Sequence, residues 1–159
     1  MFDIVAEHVT GDIVDFANSG EYDVVIHGCN CFNTMGSGVA LALAREYPAI
    51  ERVDNETIRG DKNKLGGYTS AYALTPQDQP LLLINLYQQW RYGPRSQRNF
   101  SLDAFKTALS SAKEIIPPGS KILMPHGIGS GSAGGYVKAI HRAIQNILEG
   151  YDVTFVKFP

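Results

Sequence analysis

Short apolar runs of strand length alternate along this chain with segments whose apolar residues recur at helical spacing. Val24 to Ile26 and Leu81 to Ile84 are nearly continuous apolar runs, as is typical of strands covered by helices on both faces. Between such runs, apolar positions follow the three-four spacing of amphipathic helices. This alternation predicts a layered α/β domain, because it is the pattern of strands and helices packed in separate layers.

The pattern predicts strands and helices with approximate bounds. The strands cover residues 2–9, 23–30, 67–74, 81–88, 121–126 and 152–158. The helices cover residues 39–47, 48–59, 102–116 and 137–147. Ser101 is placed to cap the third helix, and Pro117 is placed to end it. Residues 88–99 are predicted to form a long surface loop.

Length and composition limit the classes of function. The chain has 159 residues, enough for one core, so residues 1–159 are predicted to form a single domain. Its apolar runs are far shorter than the roughly 20 residues that cross a bilayer, and no signal sequence opens the chain. We therefore expect a soluble, cytoplasmic monomer without a membrane partner, in which Cys29 and Cys31 are reduced and buried.

The net charge is -2, which offers no general attraction for nucleic acid. An anionic ligand therefore has to be held by local geometry. A mixed aromatic and basic cluster favours a solvated loop, with contacts to nucleic acid or poly-ADP-ribose as the less favoured interpretation. The cluster consists of Trp90, Arg91, Tyr92, Arg95 and Arg98.

Two glycine-rich segments stand where a predicted strand ends and a helix follows. We call residues 33–39 the first glycine loop and residues 126–132 the second glycine loop. Glycine lets the backbone approach a ligand closely, and a helix N-terminus offers unpaired N–H groups. Either loop alone is better explained as a tight connection. Two such loops after parallel strands favour a phosphate-rich ligand at the strand carboxyl ends.

Other motifs fit less well. Gly129 to Gly134 spell the Gly-x-Gly-x-x-Gly string of dinucleotide-binding folds, but the last strand carries no acidic residue at its end for the ribose. Neither loop ends in the Gly-Lys-Ser/Thr of a nucleotide triphosphatase. Ser130 and Ser132 lack the flanking glycines of a nucleophilic serine elbow. The histidines have no metal-ligand spacing: they are His8, His27, His126 and His141. These patterns leave hydrolysis by water without metal or cofactor, or binding alone.

Four motifs, in their order along the chain, resemble those of macro domains over essentially the full length. They are Gly11-Asp12-Ile13, the strand Val24 to Asn30, Gly36-Ser37-Gly38-Val39-Ala40, and Met124-Pro125 followed by Gly127 to Gly131. The resemblance implies a three-layer α/β/α fold with a mixed, mainly parallel sheet of about six strands. It also implies ADP-ribose or ADP-ribose-1''-phosphate as the ligand, with an ADP-ribosylated macromolecule as a further partner.

The resemblance places each motif on the ligand. Asp12 is expected to accept the adenine amino group, and Phe158 to stack on adenine unless it only packs. The first glycine loop is expected around the distal ribose and the second around the pyrophosphate. The expected ligand-binding residues are Asp12, Ile13, Asn30, Asn33, Met35, Gly36, Ser37, Gly38, Val39, Pro125, Gly127, Ile128, Gly129, Ser130, Gly131 and Phe158.

Within the family the motifs resemble a branch of glycohydrolases, DNA de-ADP-ribosylases and ADP-ribose-1''-phosphate phosphatases. The glycohydrolases use a lysine near the fourth strand and an aspartate in the second loop. In this chain the fourth strand ends Asn85-Leu86-Tyr87-Gln88-Gln89, and the second loop has Ser132-Ala133. Lys62 and Lys64 come before the third strand, which argues against either replacing that lysine. The phosphatases are the better match, through Asn85-Leu86-Tyr87-Gln88.

The phosphatase resemblance names two catalytic candidates. Asn30 would position the attacking water or a ribose hydroxyl, and His126 would act as acid or base because its ordinary pKa is near neutral. Asn33 is a further polar candidate. The preferred function is metal-independent removal of phosphate from ADP-ribose-1''-phosphate. The alternatives are release of ADP-ribose from protein or nucleic acid, and non-catalytic binding of ADP-ribose or a signalling nucleotide.

Overall fold

A computed structural model describes the protein over residues 6–91, 99–129 and 136–159. The strands are β1 (Glu7–Thr10), β2 (Val24–Cys29), β3 (Tyr68–Leu74), β4 (Pro80–Tyr87), β5 (Lys121–Pro125) and β6 (Asp152–Lys157). The helices are α1 (Ile13–Ala17), α2 (Gly38–Glu46), α3 (Pro48–Asn55), α4 (Leu102–Lys113) and α5 (Val137–Ile147). Part of the predicted first strand, 2–9, lies outside the described residues.

The strands form one six-stranded sheet in the order β1-β6-β5-β2-β4-β3. The neighbours are parallel except for β3 and β4, which pair antiparallel. The expected mixed, mainly parallel sheet is therefore confirmed. Because β2, β4, β5 and β6 all run in one direction, their carboxyl ends meet at the same edge of the sheet.

Helices cover both faces of this sheet. α1, α2 and α3 pack over the face that carries Val25 and Leu83, and α4 and α5 pack over the face that carries Ile26 and Ile84. Successive side chains of a strand point to opposite faces, so a strand buried on both faces needs apolar residues at nearly every position. The expected three-layer α/β/α architecture is confirmed.

The connections open a crevice between β2 and β5. The chain leaves β2 for α2 on one face of the sheet, and it leaves β5 for α5 on the other face. Since β2 and β5 are neighbours, the two connections diverge at the carboxyl edge. Ligands of open α/β sheets bind in such a crevice.

The predicted helix over 48–59 is shorter than expected, because α3 ends at Asn55. The Thr57 hydroxyl and backbone N–H both donate to the Asp54 carbonyl, at 2.5 and 3.0 Å. Threonine favours such local bonds over continued helix. At the next predicted helix the cap is confirmed, since the Ser101 side chain accepts a bond from the Ala104 N–H at 3.1 Å.

The prediction of a surface loop from residue 88 is wrong at its start. Gln88 is 3% exposed and Gln89 is 9% exposed, because both continue from β4 into the centre of the carboxyl edge. Cys29 and Cys31 are buried and free, as expected. Within the described part of the chain, no helix has both the length and the apolar character needed to span a membrane.

Candidate functional site

A cavity of about 1080 Å³ lies at the carboxyl edge of the sheet, at the upper end of the range typical of ligand pockets. Residues 36–39 of the first glycine loop and 127–129 of the second line it together. Arg59, Arg91 and Lys157 also line it, and its described lining contains no aspartate or glutamate. The cavity therefore suits an anion, although the net charge of the chain is -2.

The turn that leads into the first glycine loop is organised by Asn30, which is 7% exposed. Its Nδ2 donates to the Thr34 carbonyl at 3.1 Å and to the Thr34 hydroxyl at 2.8 Å. Its Oδ1 accepts from the Phe32 N–H at 2.8 Å and from the Thr34 hydroxyl at 3.1 Å. A carboxamide has two donor hydrogens and two acceptor lone pairs. All four are occupied in Asn30 by bonds to Thr34 and Phe32 within the turn.

Asn33 holds the first glycine loop through contacts on the side away from the cavity. Its backbone is left-handed, with φ 54°, and its Nδ2 donates to the Thr57 carbonyl at 3.0 Å. The Lys64 ammonium donates to Asn33 Oδ1 at 2.5 Å and to the Cys31 carbonyl at 3.0 Å. Met35 is 4% exposed and packs in the core beneath α2. Asn33 and Met35 were expected to contact the ligand, but the structure places both outside the cavity lining.

The first glycine loop ends at the N-terminus of α2, which faces the cavity through Ser37, Gly38 and Val39. The Ser37 side chain makes no capping bond, so the first-turn N–H groups keep their capacity to donate. A Cβ added at Gly36 or Gly38 would meet open space. The backbone here is therefore accessible to a ligand.

The second glycine loop is packed more tightly. Gly129 has φ +74°, and a Cβ added to it would lie 2.5 Å from the Phe100 ring. Ile128 is 4% exposed and belongs to the core. Pro125 and Gly127 line the cavity with them, while the expected ligand residues Ser130 and Gly131 lie outside the described residues.

His126 begins this loop and lines the cavity, in contact with two other histidines. Its ring centroid lies 4.8 Å from that of His141 and 5.6 Å from that of His8. The His141 Nε2 lies 2.7 Å from the His126 carbonyl, so a protonated Nε2 donates there. Partial burial, followed by the neighbouring His141 and His8, lowers the pKa of His126. Among the described residues, no group of three or more His, Cys, Asp or Glu side chains is arranged to hold a metal ion.

The two catalytic candidates follow the neighbouring strands β2 and β5, but their surroundings differ. The His126 ring contacts His8 on β1 and Phe155 on β6, whereas Asn30 follows β2, which pairs with β4. β5 and β6 separate β1 from β2 in the sheet. His126 is therefore directed toward the β1 end and away from the β4 end.

The β1 end carries the residues expected around adenine. Gly11, Ile13 and Phe158 line the cavity there, and Phe158 is 76% exposed. Asp12 is outside the lining. One of its carboxylate oxygens caps α1 by accepting from the Val14 N–H at 2.9 Å.

The β4 end carries residues that sequence reasoning missed. Phe32, Arg59 and Gln88 line the cavity there together with Trp90. The Phe32 and Trp90 rings meet edge to face at 5.0 Å, and the Arg59 guanidinium lies 5.9 Å from the Phe32 centroid. Two of them had a signal in the sequence, because Gln88 follows the largely apolar strand β4 and Trp90 belongs to the aromatic and basic cluster. Arg59 had none, since it arrives from the turn after α3.

A buried histidine lies at the floor of the site. The Asn85 Nδ2 donates to the Ile50 carbonyl and to Thr69 Oγ1, both at 3.0 Å, which leaves Asn85 Oδ1 as the acceptor for His27 Nε2 at 2.5 Å. His27 therefore carries its proton on Nε2. Burial lowers its pKa to about 4, although the bond to Asn85 raises it.

No family model matches the chain. The chain is 36% identical over 138 residues to an uncharacterized 17.5 kDa protein of Enterobacteria phage T4, and the match covers 81% of this chain and 83% of that protein.

Solved structures share the fold. A protein of unknown function from Bacteroides thetaiotaomicron has a TM-score of 0.76 and 22% identity, covering 98% of this chain and 99% of that one. The macrodomain of Mycobacterium tuberculosis DarG has a TM-score of 0.65 and 19% identity, covering 98% and 97%. Thermosipho africanus DarTG, solved in complex with ADP-ribose, has a TM-score of 0.67 and 16% identity, covering 98% of this chain and 42% of that one.

Proposed function

Because this chain belongs to the family of the uncharacterized phage T4 protein and has the macro domain fold, we propose that it binds ADP-ribose or a derivative of it. One observation carries the proposal. Two glycine-rich segments, from the ends of neighbouring strands, line one cavity whose described lining has no carboxylate. Backbone donors and cationic side chains without a nearby acid favour a diphosphate.

The proposed orientation follows the sheet. Adenine lies at the β1 end, near Ile13 and Phe158, and the diphosphate lies between the two glycine loops. The distal ribose lies at the β4 end, near Gln88 and Trp90. Asp12 uses one oxygen to cap α1, so its second oxygen is the proposed acceptor for the adenine amino group.

Calorimetry tests this orientation through Asp12. Asparagine is as good a helix cap as aspartate, so Asp12→Asn keeps α1 and changes the group offered to adenine. We expect the affinity for ADP-ribose to fall by about 1 to 3 kcal/mol, the order of a lost hydrogen bond to a charged group. Asp15→Asn, an acidic residue in the first turn of the same helix that does not cap it, is the matched control. Equal affinities for all three proteins would contradict the placement of adenine.

The preferred activity is metal-independent release of phosphate from ADP-ribose-1''-phosphate. Arg59 and Arg91 line the end of the cavity proposed for the distal ribose, where they suit an additional phosphate group. Water is the proposed nucleophile, because the described lining contains no aspartate or glutamate and burial raises the pKa of the Cys29 thiol, which disfavours the thiolate. Asn30 is proposed to act by holding the turn before the first glycine loop, since its carboxamide is already bonded to Thr34 and Phe32.

Phosphate release from ADP-ribose-1''-phosphate, measured in the presence of a chelator, tests the activity. We expect turnover in the wild type, a large loss in Arg59→Ala and Asn30→Ala, and unchanged turnover in Arg45→Ala, an exposed arginine of α2 outside the cavity lining. His126→Ala tests whether a residue directed toward the β1 end takes part in the chemistry. If it abolishes the chemistry while leaving ADP-ribose affinity intact, His126 is the acid or base after all.

Two other functions predict different results. Release of ADP-ribose from modified protein or nucleic acid, without phosphate release from the free phosphate ester, would favour the hydrolase alternative. Tight ADP-ribose binding with turnover of neither substrate class would favour a non-catalytic binder. The absence of a carboxylate from the described lining is the observation that supports this last candidate.

A further inference from the structure

We infer that Gln88 is the side chain that recognises a hydroxyl group of the distal sugar, at a subsite built by Gln88 and Gly28. The inference rests on the proposed function, because it names a contact within the same cavity. Both residues line that cavity, and neither belongs to a glycine loop.

The backbone of Gln88 is held on two sides. Its N–H donates to the Cys29 carbonyl at 3.3 Å, and its carbonyl accepts from the Ser101 N–H at 2.9 Å. The residue is 3% exposed. The backbone of Gln88 is therefore fixed at the carboxyl edge, and its side chain is almost fully buried where the residue lines the cavity.

Gly28 makes the room for this carboxamide. A Cβ built on Gly28 would lie 2.0 Å from Gln88 Nε2, 2.1 Å from Cδ and 2.4 Å from Oε1. Gly28 has no left-handed backbone angle, so its conformation does not require glycine. The space that glycine leaves is filled by the Gln88 amide, and any larger residue at position 28 would displace it.

The Gln88 carboxamide has an unused hydrogen-bonding atom. Its Oε1 is buried and has no hydrogen-bond partner among the described residues. Leaving a buried acceptor unpaired is unfavourable, and such groups in folded proteins call for an explanation. Two neighbouring carboxamides differ, since Asn30 bonds to Thr34 and Phe32 and Gln89 Nε2 donates to the Arg91 carbonyl at 3.1 Å.

The chemistry of Gln88 Oε1 determines which group of the ligand can bind to it. A carboxamide oxygen accepts hydrogen bonds, so its partner has to be a donor. A sugar hydroxyl donates, whereas a phosphate dianion has no hydrogen to donate. Gln88 follows β4, on the side of β2 away from β5, and therefore lies beyond the second glycine loop and the β1 end. The matching group is a hydroxyl of the sugar farthest from adenine.

Paired binding measurements test the subsite, with ADP-ribose and ADP as the two ligands. ADP keeps the adenosine and the diphosphate and lacks the distal sugar. Methionine matches glutamine in length without a strong acceptor, so Gln88→Met removes the proposed contact while filling the same space. We expect about a tenfold loss of affinity for ADP-ribose, the usual size for a buried hydrogen bond, and unchanged affinity for ADP. Gln77→Met, on an exposed turn, is the matched control.

Gly28→Ala provides a second variant. The added methyl group displaces the Gln88 carboxamide, so the same selective loss of ADP-ribose affinity is expected. If Gly28→Ala fails to fold, Gly28→Ala combined with Gln88→Ala relieves the clash, and its ADP-ribose affinity should match that of Gln88→Met.

The outcomes separate the two proposals. A wild type that binds neither ADP-ribose nor ADP overturns the proposed function and this inference with it. A wild type that binds both, with a folded Gln88→Met that loses affinity for both ligands equally or for neither, overturns the inference alone. A selective loss for ADP-ribose supports both.

Discussion

The two glycine loops look alike in the sequence but use glycine for different physical reasons. In the first loop, a Cβ at Gly36 or Gly38 would meet open space, so no side chain covers the backbone on its cavity side. In the second loop, a Cβ at Gly129 would lie 2.5 Å from the Phe100 ring. Glycine therefore gives access to a ligand in one loop and allows close internal packing in the other.

The loops also differ in how they are supported. Behind the first loop lies a polar network in which Lys64 donates to Asn33 and to the Cys31 carbonyl. The second loop rests on an aromatic ring and is joined at its start to α5 by the contact between His141 and the His126 carbonyl. A stretch of glycines after a strand therefore does not reveal whether packing or ligand access selected it.

The largest expected effect is the loss of stability in Gly129→Ala. The methyl group would overlap the Phe100 ring, and alanine disfavours the φ of +74° at this position. We expect a cost of about 2 to 4 kcal/mol in the free energy of unfolding, measured by chemical denaturation. The same substitution in a Phe100→Ala background should cost less, because the ring is absent. An equal cost in both backgrounds would place the effect in the backbone angle instead.

Acid should destabilise the protein through His27, at the floor of the site. Its pKa is lowered to about 4 in the folded protein, so the unfolded chain takes up a proton below pH 6.5 before the folded protein does. Stability from this group is present above pH 6.5 and is lost as pH falls toward 4, by roughly 3 kcal/mol. Burial raises the pKa of Asp54, which acts in the opposite direction. The difference between wild type and His27→Gln over this range isolates the histidine, and parallel pH profiles would contradict the assignment.

Removing the support behind the first loop should have a smaller effect. Lys64→Met abolishes the bonds to Asn33 and the Cys31 carbonyl, and we expect a loss of about 1 to 3 kcal/mol in stability. Lys62→Met is the control, because the Lys62 ammonium lies over the Trp90 ring at 4.5 Å. This substitution should cost about 0.5 to 1 kcal/mol. Thermal melts of both variants measure the difference. Equal melting temperatures would show that the network does not hold the loop.

Gly36→Leu should have the smallest effect on stability. Its side chain enters open space, so we expect a change within about 0.5 kcal/mol. The same side chain occupies the cavity, so ADP-ribose affinity measured by calorimetry should fall sharply. Gly38→Ala is the contrast, because its φ of +59° adds a strain of about 1 kcal/mol or more. A destabilised Gly36→Leu would show that the first loop is packed as the second is.

Much of the fold could be predicted, because its signals are local. The apolar runs of β2 and β4 and the capped α4 are readable from neighbouring residues, since periodicity and caps depend on a few positions. The end of α3 at Asn55 was missed, because a threonine side chain competes locally with helix hydrogen bonds. The motifs also predicted that the two glycine loops share one cleft, and residues 36–39 and 127–129 line one cavity.

The individual roles within the site could not be predicted in the same way. Asn30 and Gln88 are both carboxamides at strand ends, and nothing near them in the sequence shows that the first is satisfied by its own turn and the second is not. Arg59 reaches the cavity from a turn after α3. These facts depend on contacts between segments far apart in the chain.

The sequence by itself determined that this protein alternates strands and helices, that its central strands β2 and β4 are buried on both faces, and that glycine-rich turns follow two of its strands. Only the tertiary structure decided which glycine faces the open cavity, which faces a phenylalanine ring, and which makes room for Gln88. The physical reason is that periodicity and backbone preference act over a few residues. Whether a polar atom is satisfied, or a Cβ has room, depends on what the rest of the fold brings beside it.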